Sequence, residues 1–407
     1  MNEFLKEFKS RGYFYQCTEE IRFSEKLNKE KIKGYIGFDC TAQSLHVGSL
    51  LQIMCLRLLQ KHGHRPIVLL GGGTTRIGDP SGKDKTRKIL GESEIEKNIK
   101  NIEKILKKFL DTDDKKTKPI FVNNYSWLKN LNYISFLRDI GKHFTINKML
   151  SFDSVKLRLE REQSLSYMEF NYMILQAYDF LELNKREKCV LQIGGSDQWG
   201  NIINGVDLIK RYFSNEVFGL TTPLITLSSG AKMGKSETGA IWLDKKLFSV
   251  FDYWQFWRNT DDRDVLKFLK MFTEISLQDI EKIKENNIND LKILLANKAT
   301  TMLHGEKESL RAEELAKSTF SDNSTGEDLP NIKIKKDIIK QNIVELIASI
   351  VQDTSKSEIR RLIKSDAVKI DNNLIKNDKF IIENKLFKEK GFIKLSLGKK
   401  KHFKIVI

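Results

Sequence analysis

The sequence predicts an α/β protein: a doubly wound, mostly parallel sheet, then an α-helical unit, then a small basic α+β unit. Three features of the chain lead there. Short apolar runs alternate with amphipathic stretches through the first half, helical periodicity dominates from about 245 to 322, and positive charge concentrates after residue 330.

The runs at 35–38 (YIGF), 66–70 (PIVLL) and 190–194 (VLQIG) read as buried strands, each closed by Gly or a polar turn. Amphipathic patterns near 46–62, 92–110 and 165–182 read as helices between them. Strand and helix in alternation favour a parallel sheet, which binds ligands outside the carboxyl ends of its strands. Residues that carry chemistry are therefore expected just after the apolar runs. Further on, DDRDVLKFLKMF and LKILLANKATTMLHGEKESLRAEELAKSTF are helical in period, and SDNSTGEDLP (321–330) has the polar, Gly- and Pro-containing composition of a linker.

Composition narrows the class. The chain of 407 residues is long enough for two or three domains, and 40% hydrophobic with 30% charged residues fits a soluble protein. No apolar run approaches the ~20 residues needed to cross a bilayer. The start, MNEFLKEFKSRG, lacks the apolar core of a signal peptide. Cys17, Cys40, Cys55 and Cys189 form no CxxC or zinc-like spacing and are expected as reduced thiols in a cytoplasm. Of the net charge of +16, residues 331–407 carry +10 (19 Lys and Arg against 9 Asp and Glu). Such an end suits a polyanionic partner, with general surface lysine enrichment as the plainer alternative.

Two segments suit nucleotide chemistry. In GFDCTAQSLHVGSLLQIMCLRLL (37–59) a strand gives way to a turn and then a helix beginning near His46. Thr41, His46 and the small Gly48 thus stand where free helix N–H groups favour phosphate, while a helix-capping role for His46 is the plainer alternative. In SSGAKMGKSETG (228–239), Lys232 and Lys235 lie three apart on a Gly- and Ser-rich loop able to follow charge onto a leaving pyrophosphate. Alone, that loop reads as solvated surface. In NYMILQAYDF (171–180), Tyr172, Gln176 and Asp179 fall at i, i+4 and i+7, a polar stripe on an otherwise apolar helix. A buried stripe needs polar partners, which a ligand can supply. Tyr35, at the first strand, is placed to meet it.

HxGx followed by KMxKS resembles the signature pair of class I aminoacyl-tRNA synthetases. The longer strings YxGFDxTAxSLHxG, GGxTxxIGDPSG, YMxLQAYD, LQIGGSDQWGN and KMGKS, in that order across 30–407, resemble the bacterial-type tyrosyl-tRNA synthetases. That resemblance implies a Rossmann-like catalytic domain at 1–222 with an inserted dimer-interface region at about 120–165. It further implies the signature lysine loop with a helical tRNA-binding domain at 223–320, a linker at 321–335, and an S4-like RNA-binding domain at 336–407. It also implies ATP as substrate with Mg2+ but no dedicated protein metal site, tRNA and tyrosine as further partners, a homodimer, and a cytoplasmic location away from membranes.

Residue roles follow from the same resemblance. Tyr35 and Asp179 are expected to hydrogen-bond the tyrosine hydroxyl, with Asp79, Tyr172 and Gln176 on the ammonium and Gln198 near the carboxylate. Asp39, Gly48, Ser49, Gly195 and Asp197 are expected on the ATP side, Asp197 through the ribose. Thr41 and His46 are expected on the γ-phosphate, joined by Lys83, Arg87, Lys232, Lys235 and Ser236 as pyrophosphate departs.

The chain also departs from the family pattern. Ser49 stands where His or Asn is common and has less reach, Gly234 replaces Ser and is expected to loosen the lysine loop, and Cys40 and Gln43 replace Pro and Asp. The tail SKSEIRRLIKSDAVKIDNN (355–373) resembles the S4 RNA-binding module, with Ser357, Arg360, Arg361 and Lys364 on its helix, though a merely solvated basic helix has the same pattern. His62 and His64 in HGHRP read as solvent-exposed rather than metal-binding. The apolar segment 124–150 suits either the implied dimer interface or core packing. Rival readings are a tryptophanyl-tRNA synthetase, a nucleotidylyltransferase of the same fold, and a non-catalytic RNA-binding derivative.

Overall fold

In the computed structural model, the described residues are 1–407 apart from 80–89, 229, 231–232, 237–238, 321–330, 335–337, 352–353, 388–390, 399–400 and 407. Backbone alone is described at 153–154, 235–236, 319–320, 331 and 401. Residues 16–222 are organised by a sheet of β1 (Gln16–Cys17), β2 (Lys33–Phe38), β3 (Arg65–Leu70), β4 (Ile120–Asn123), β5 (Cys189–Gly195) and β6 (Phe218–Thr222). Its order is β1-β6-β5-β2-β3-β4, with β1 antiparallel to β6 and the other pairs parallel.

That order fixes the site. From β2 the chain winds outward through β3 and β4, then returns to place β5 and β6 on the other side of β2. The winding direction therefore reverses between β2 and β5, and a crevice is left beyond their carboxyl ends. The three strands read from the sequence are β2, β3 and β5, each longer by one or two residues. β1, β4 and β6 were not legible, because two are short and β6 (FGLTT) is buried with too little apolar contrast to stand out.

Helix Leu50–Lys61 lies over the sheet and is apolar nearly all round, with Leu51, Ile53, Met54, Cys55, Leu56, Leu58 and Leu59 buried. Each such leucine contributes roughly 1.5–3 kcal/mol on leaving water. The helix starts four residues later than His46, which instead precedes a single 3-10 turn, Val47–Ser49. Helix Tyr167–Glu187 opens with a reciprocal Ser166–Glu169 capping box and closes where Lys188 turns left-handed at φ 56°.

One expectation is overturned here. His64 is buried (1% exposed) and its Nδ1 accepts the Ile32 N–H at 3.2 Å. His62 meets Glu7 at 2.8 Å. The N-terminal helix Glu3–Ser10 covers both rings, with Phe4 edge-on to each. Burial lowers the His64 imidazole to about 4. Nothing local in the sequence signals that cover.

Between the main sheet and the helices lies a two-stranded ribbon, β7 (Lys235–Ser236) and β8 (Gly239–Ala240). Helices Val250–Arg258, Asp262–Phe272, Leu277–Ile283, Ile288–His304 and Glu306–Phe320 come next in the chain. The C-terminal residues form a second sheet of β9 (Asn331–Lys333), β10 (Val368–Ile370), β11 (Asn373–Leu374), β12 (Phe392–Leu397) and β13 (Lys401–Val406), in the order β11-β10-β12-β13-β9. Helices Ile343–Ile350 and Lys356–Lys364 share a core with it that includes Ile347, Ile359, Ile363 and Leu395.

Candidate active site

A cavity of about 350 Å³ occupies the crevice between β2 and β5. Tyr35 and Asp39 reach it from β2 and the turn beyond, Gly195, Asp197 and Gln198 from β5 and its following turn, and Asp79 from the loop after β3. Tyr172, Gln176 and Asp179 line it as one face of helix Tyr167–Glu187, so the polar stripe is buried and meets the cavity. Gly48 and Ser49 close the side nearest helix Leu50–Lys61.

Asp179 anchors the deep end. Its carboxylate accepts the Asn124 Nδ2–H at 2.9 Å and the Trp127 indole N–H at 2.8 Å. Burial pushes the acid up to about 7, against those two donors, and the Asp39 and Glu182 charges add to the rise. Tyr35 is 1% exposed, its ring packs on Phe180, and its buried hydroxyl oxygen has no hydrogen-bond partner among the described residues. Burial first, and the Asp179 charge second, raise that phenol far above its ordinary value. A cavity that keeps an unpaired hydroxyl beside a buried carboxyl is prepared for a ligand able to bond both.

A hydrogen-bond network runs from there toward the mouth. Asn124 Nδ2 also donates to Thr74 Oγ1 (3.0 Å), and Thr74 donates to Asp39 Oδ1 (3.0 Å). The Tyr172 hydroxyl donates to Asp39 Oδ2 (3.2 Å). Gln198 Nε2 donates to Asp79 Oδ2 (3.0 Å), while Asn201 Nδ2 donates to Gln198 Oε1 (3.0 Å). Gln176 Oε1 and Gln192 Oε1 are buried at the same cavity without partners among the described residues. Gly195 lets Asp197 come close: a Cβ there would stand 2.4 Å from its Oδ1, and the carboxylate would have to move.

The remaining predicted residues divide. Thr41 is exposed in the turn after β2 and does not line the cavity. His46 also lies off the lining and acts as a cap, its Nδ1 accepting the Gly48 N–H at 3.0 Å. Lys83, Arg87 and Lys232 lie outside the described residues, and of Lys235 and Ser236 only the β7 backbone is described. The loop carrying Lys235 nonetheless sits on the first motif. Val47 N–H donates to Ile241 O (2.9 Å), and a Cβ on Gly234 would stand 2.8 Å from His46 Nδ1. Gly234 has φ +121°, so its role is close approach under a left-handed backbone rather than simple loosening.

Asn124, Trp127, Thr74, Gln192 and Gln52 were missed from the sequence. Asn124 and Trp127 fall in the apolar segment read as interface or core, where the sign was the Asn123–Asn124 pair that ends the strand IFVN. Gln52 lines the cavity and donates through Nε2 to Thr222 Oγ1 at 2.8 Å.

A family model described as tRNA synthetases class I (W and Y) matches residues 27–321. A protein of Pelagibacter ubique (strain HTCC1062) named tyrosine--tRNA ligase is 74% identical over 407 residues, covering 100% of this chain and 99% of its own. The chain belongs to the tyrosine–tRNA ligases. A second ligase of that name, from Wolbachia pipientis subsp. Culex pipiens (strain wPip), is 50% identical over 412 residues, covering 100% of this chain and 98% of the relative. Among solved structures, a C-terminally truncated Aspergillus nidulans mitochondrial tyrosyl-tRNA synthetase is similar with a TM-score of 0.70 and 31% identity, over 78% of this chain and 94% of that one.

In the ligase the basic tail is exposed where its helix was expected. Ser357, Arg360, Arg361 and Lys364 all face solvent on helix Lys356–Lys364, which Ser355 caps by accepting the Glu358 N–H. Arg360 is paired with Asp378 at 3.3 Å, both half exposed. Such an exposed pair holds weakly.

Proposed function

We propose that the cavity between β2 and β5 holds tyrosine with its phenol against Asp179 and Tyr35, its ammonium among Asp79, Tyr172 and Gln176, and its carboxylate near Gln198. The chain itself is a ligase that activates tyrosine with ATP and transfers it to tRNA. The observation that carries the residue assignment is the buried stripe of helix Tyr167–Glu187, whose Asp179 is held by two donors yet faces an open cavity.

The chemistry needs no general base. A carboxylate is already ionised at pH 7 and attacks the ATP α-phosphorus in line, releasing pyrophosphate and leaving an acyl-adenylate. Charge builds on phosphate oxygens, which Thr41, His46, Lys83, Arg87, Lys232, Lys235 and Ser236 would meet from the two signature segments and the 80–89 region. Asp39, Gly48, Ser49, Gly195 and Asp197 would hold the nucleoside. Among the described residues no group of three or more His, Cys, Asp or Glu is placed to hold a metal ion, and we propose that magnesium arrives on the ATP phosphates.

The domain division at 1–222, 223–320, 321–335 and 336–407 is proposed with it, the last part gripping tRNA through Ser357, Arg360, Arg361 and Lys364. A homodimer is proposed through the insert, where Tyr133, Ile134, Leu157 and Leu159 expose large apolar side chains, with Tyr167 just beyond it. Among the described residues no helix is long and apolar enough to cross a membrane. We place the ligase in the cytoplasm, with its ATP and tRNA.

ATP–pyrophosphate exchange with tyrosine, phenylalanine and tryptophan tests the pocket. Phenylalanine would leave the Tyr35 hydroxyl unpaired and bring no donor to Asp179, and rejection by about 10⁵ is the ratio known for tyrosyl-tRNA synthetases generally rather than one obtained from this geometry. Comparable exchange with phenylalanine defeats the assignment of the phenol site.

A further inference from the structure

Helix Asp262–Phe272 touches the lysine-bearing loop at one end and the N-terminal segment at the other. Asp264, in its first turn, is 4% exposed and does not line the cavity. Its Oδ2 accepts the backbone N–H of Ser228 at 2.8 Å, where the loop SSGAKMGKS begins. One turn further on, Lys267 Nζ donates to the carbonyl of Thr226 at 3.3 Å. Both contacts land on the same root.

Beyond the root, backbone hydrogen bonds set the path of the loop. Met233 N–H donates to Ile225 O (3.0 Å) and Ile241 N–H to Gly234 O (3.2 Å), and Val47 then reaches Ile241. A shift at 226–228 is therefore passed to the strand of Lys235 and to its seat on His46. The helix is itself held fast. Val265, Phe268, Leu269 and Phe272 are buried, Arg11 donates from Nη1 to the carbonyls of Lys270 (2.9 Å) and Thr273 (3.0 Å), and the Tyr13 hydroxyl donates to Met271 O (2.8 Å). A carboxylate kept out of water is costly unless its hydrogen bonds compensate, and here the Asp264 carboxylate accepts from the loop root.

We propose that Asp264 is a positioning residue for adenylate formation, fixing the root of the loop that presents Lys235 to the phosphates. The inference rests on the reading that this loop acts in the activation step. Phosphate charge is met in full only in the transition state, so a displaced loop slows the step without weakening tyrosine.

The test uses the full-length ligase and single-turnover formation of tyrosyl-adenylate at saturating ATP. Asp264→Ala should slow it at least about tenfold, with the tyrosine dissociation constant, measured by equilibrium dialysis, unchanged. Asp264→Asn keeps an acceptor for Ser228 N–H and should restore most of the rate. Asp264→Glu keeps the charge but moves the acceptor by a methylene, and should be slow even if the Ala variant fails to fold. Lys235→Ala run alongside separates the two layers. If Lys235→Ala is slow while Asp264→Ala and Asp264→Glu match the parent, the positioning role is overturned. An Asn variant as slow as Ala, or a parallel loss of tyrosine affinity, overturns it too. Should Lys235→Ala activate tyrosine at the parent rate, the loop reading itself has failed.

Discussion

Trp127 donates its indole N–H to the carboxylate of Asp179 across 2.8 Å, from a segment 52 residues earlier in the chain. With Asn124 on the other oxygen, it holds the acid in one orientation at the bottom of the cavity while burial keeps the acid near 7.

Tyrosine affinity should therefore depend on pH. A phenol that donates to Asp179 favours the ionised carboxylate, so binding lowers the acid and affinity falls as pH drops through about 7. Phenylalanine brings no donor and should bind better to the protonated pocket. Isothermal titration with each amino acid between pH 5.5 and 8.5, a range of about 3 units around that value, reads both slopes. Matching slopes for the two ligands contradict the contact.

Stability carries the opposite sign to ordinary acids. The Asp179 carboxyl is raised from 3.8 to about 7 on folding. Its contribution is fully present below about 3.8 and is lost as pH climbs through about 7. Asp179→Asn should thus gain stability relative to the parent on going from pH 5 to pH 8, as denaturant unfolding would show, even as it loses tyrosine activation.

Trp127→Phe keeps most of the ring but deletes the donor. The Asp179 acid should move higher still, and tyrosine affinity at pH 7 should fall by about tenfold, the size of a lost hydrogen bond to a charged group. The midpoint of the affinity–pH curve should rise in step. An unchanged midpoint means that the indole N–H does not act on the carboxylate.

Much of this was legible in advance, for physical reasons that differ by element. The stripe of Tyr172, Gln176 and Asp179 showed because helical spacing puts i, i+4 and i+7 on one face whatever packs around them. Tyr35 and Gly195 showed because buried central strands are short apolar runs with sharp ends. Asn124 and Trp127 did not, since their roles depend on β4 lying beside β3, a pairing without local signature in the sequence. His64 was misjudged for the same reason: its cover comes from the N-terminal helix, far off in sequence.

Gly234→Ala tests the meeting of the two signature segments. With φ at +121° and His46 Nδ1 only 2.8 Å from the new methyl, the substitution costs about 1–3 kcal/mol of local strain. Adenylate formation should slow, and the thermal unfolding midpoint of the ligase should fall by no more than a few degrees. A fast variant would show that the loop reacts from another arrangement.

Truncation within 321–330 should leave ATP–pyrophosphate exchange nearly intact and sharply reduce tRNA charging. The tRNA affinity of the full chain should fall with salt, and Arg360→Ala with Arg361→Ala should lower the steepness of that dependence by about 2. A truncated chain that charges tRNA as well as the full one removes the tail from tRNA binding.

The central pairing of β2 with β5 has a consequence for how this chain is made. Lys33 and Cys189 are neighbours across the sheet although 156 residues separate them. On the ribosome, the amino-terminal third emerges with one wall of the crevice and nothing to face it. The crevice proposed for the substrates has no second wall until β5 has docked, and the meeting of the two signature segments waits further, until Ile241 has reached Val47. On the proposed reading of the crevice, substrate thus cannot nucleate early folding of the nascent chain; any help it gives comes only after nearly half of the 407 residues have left the tunnel.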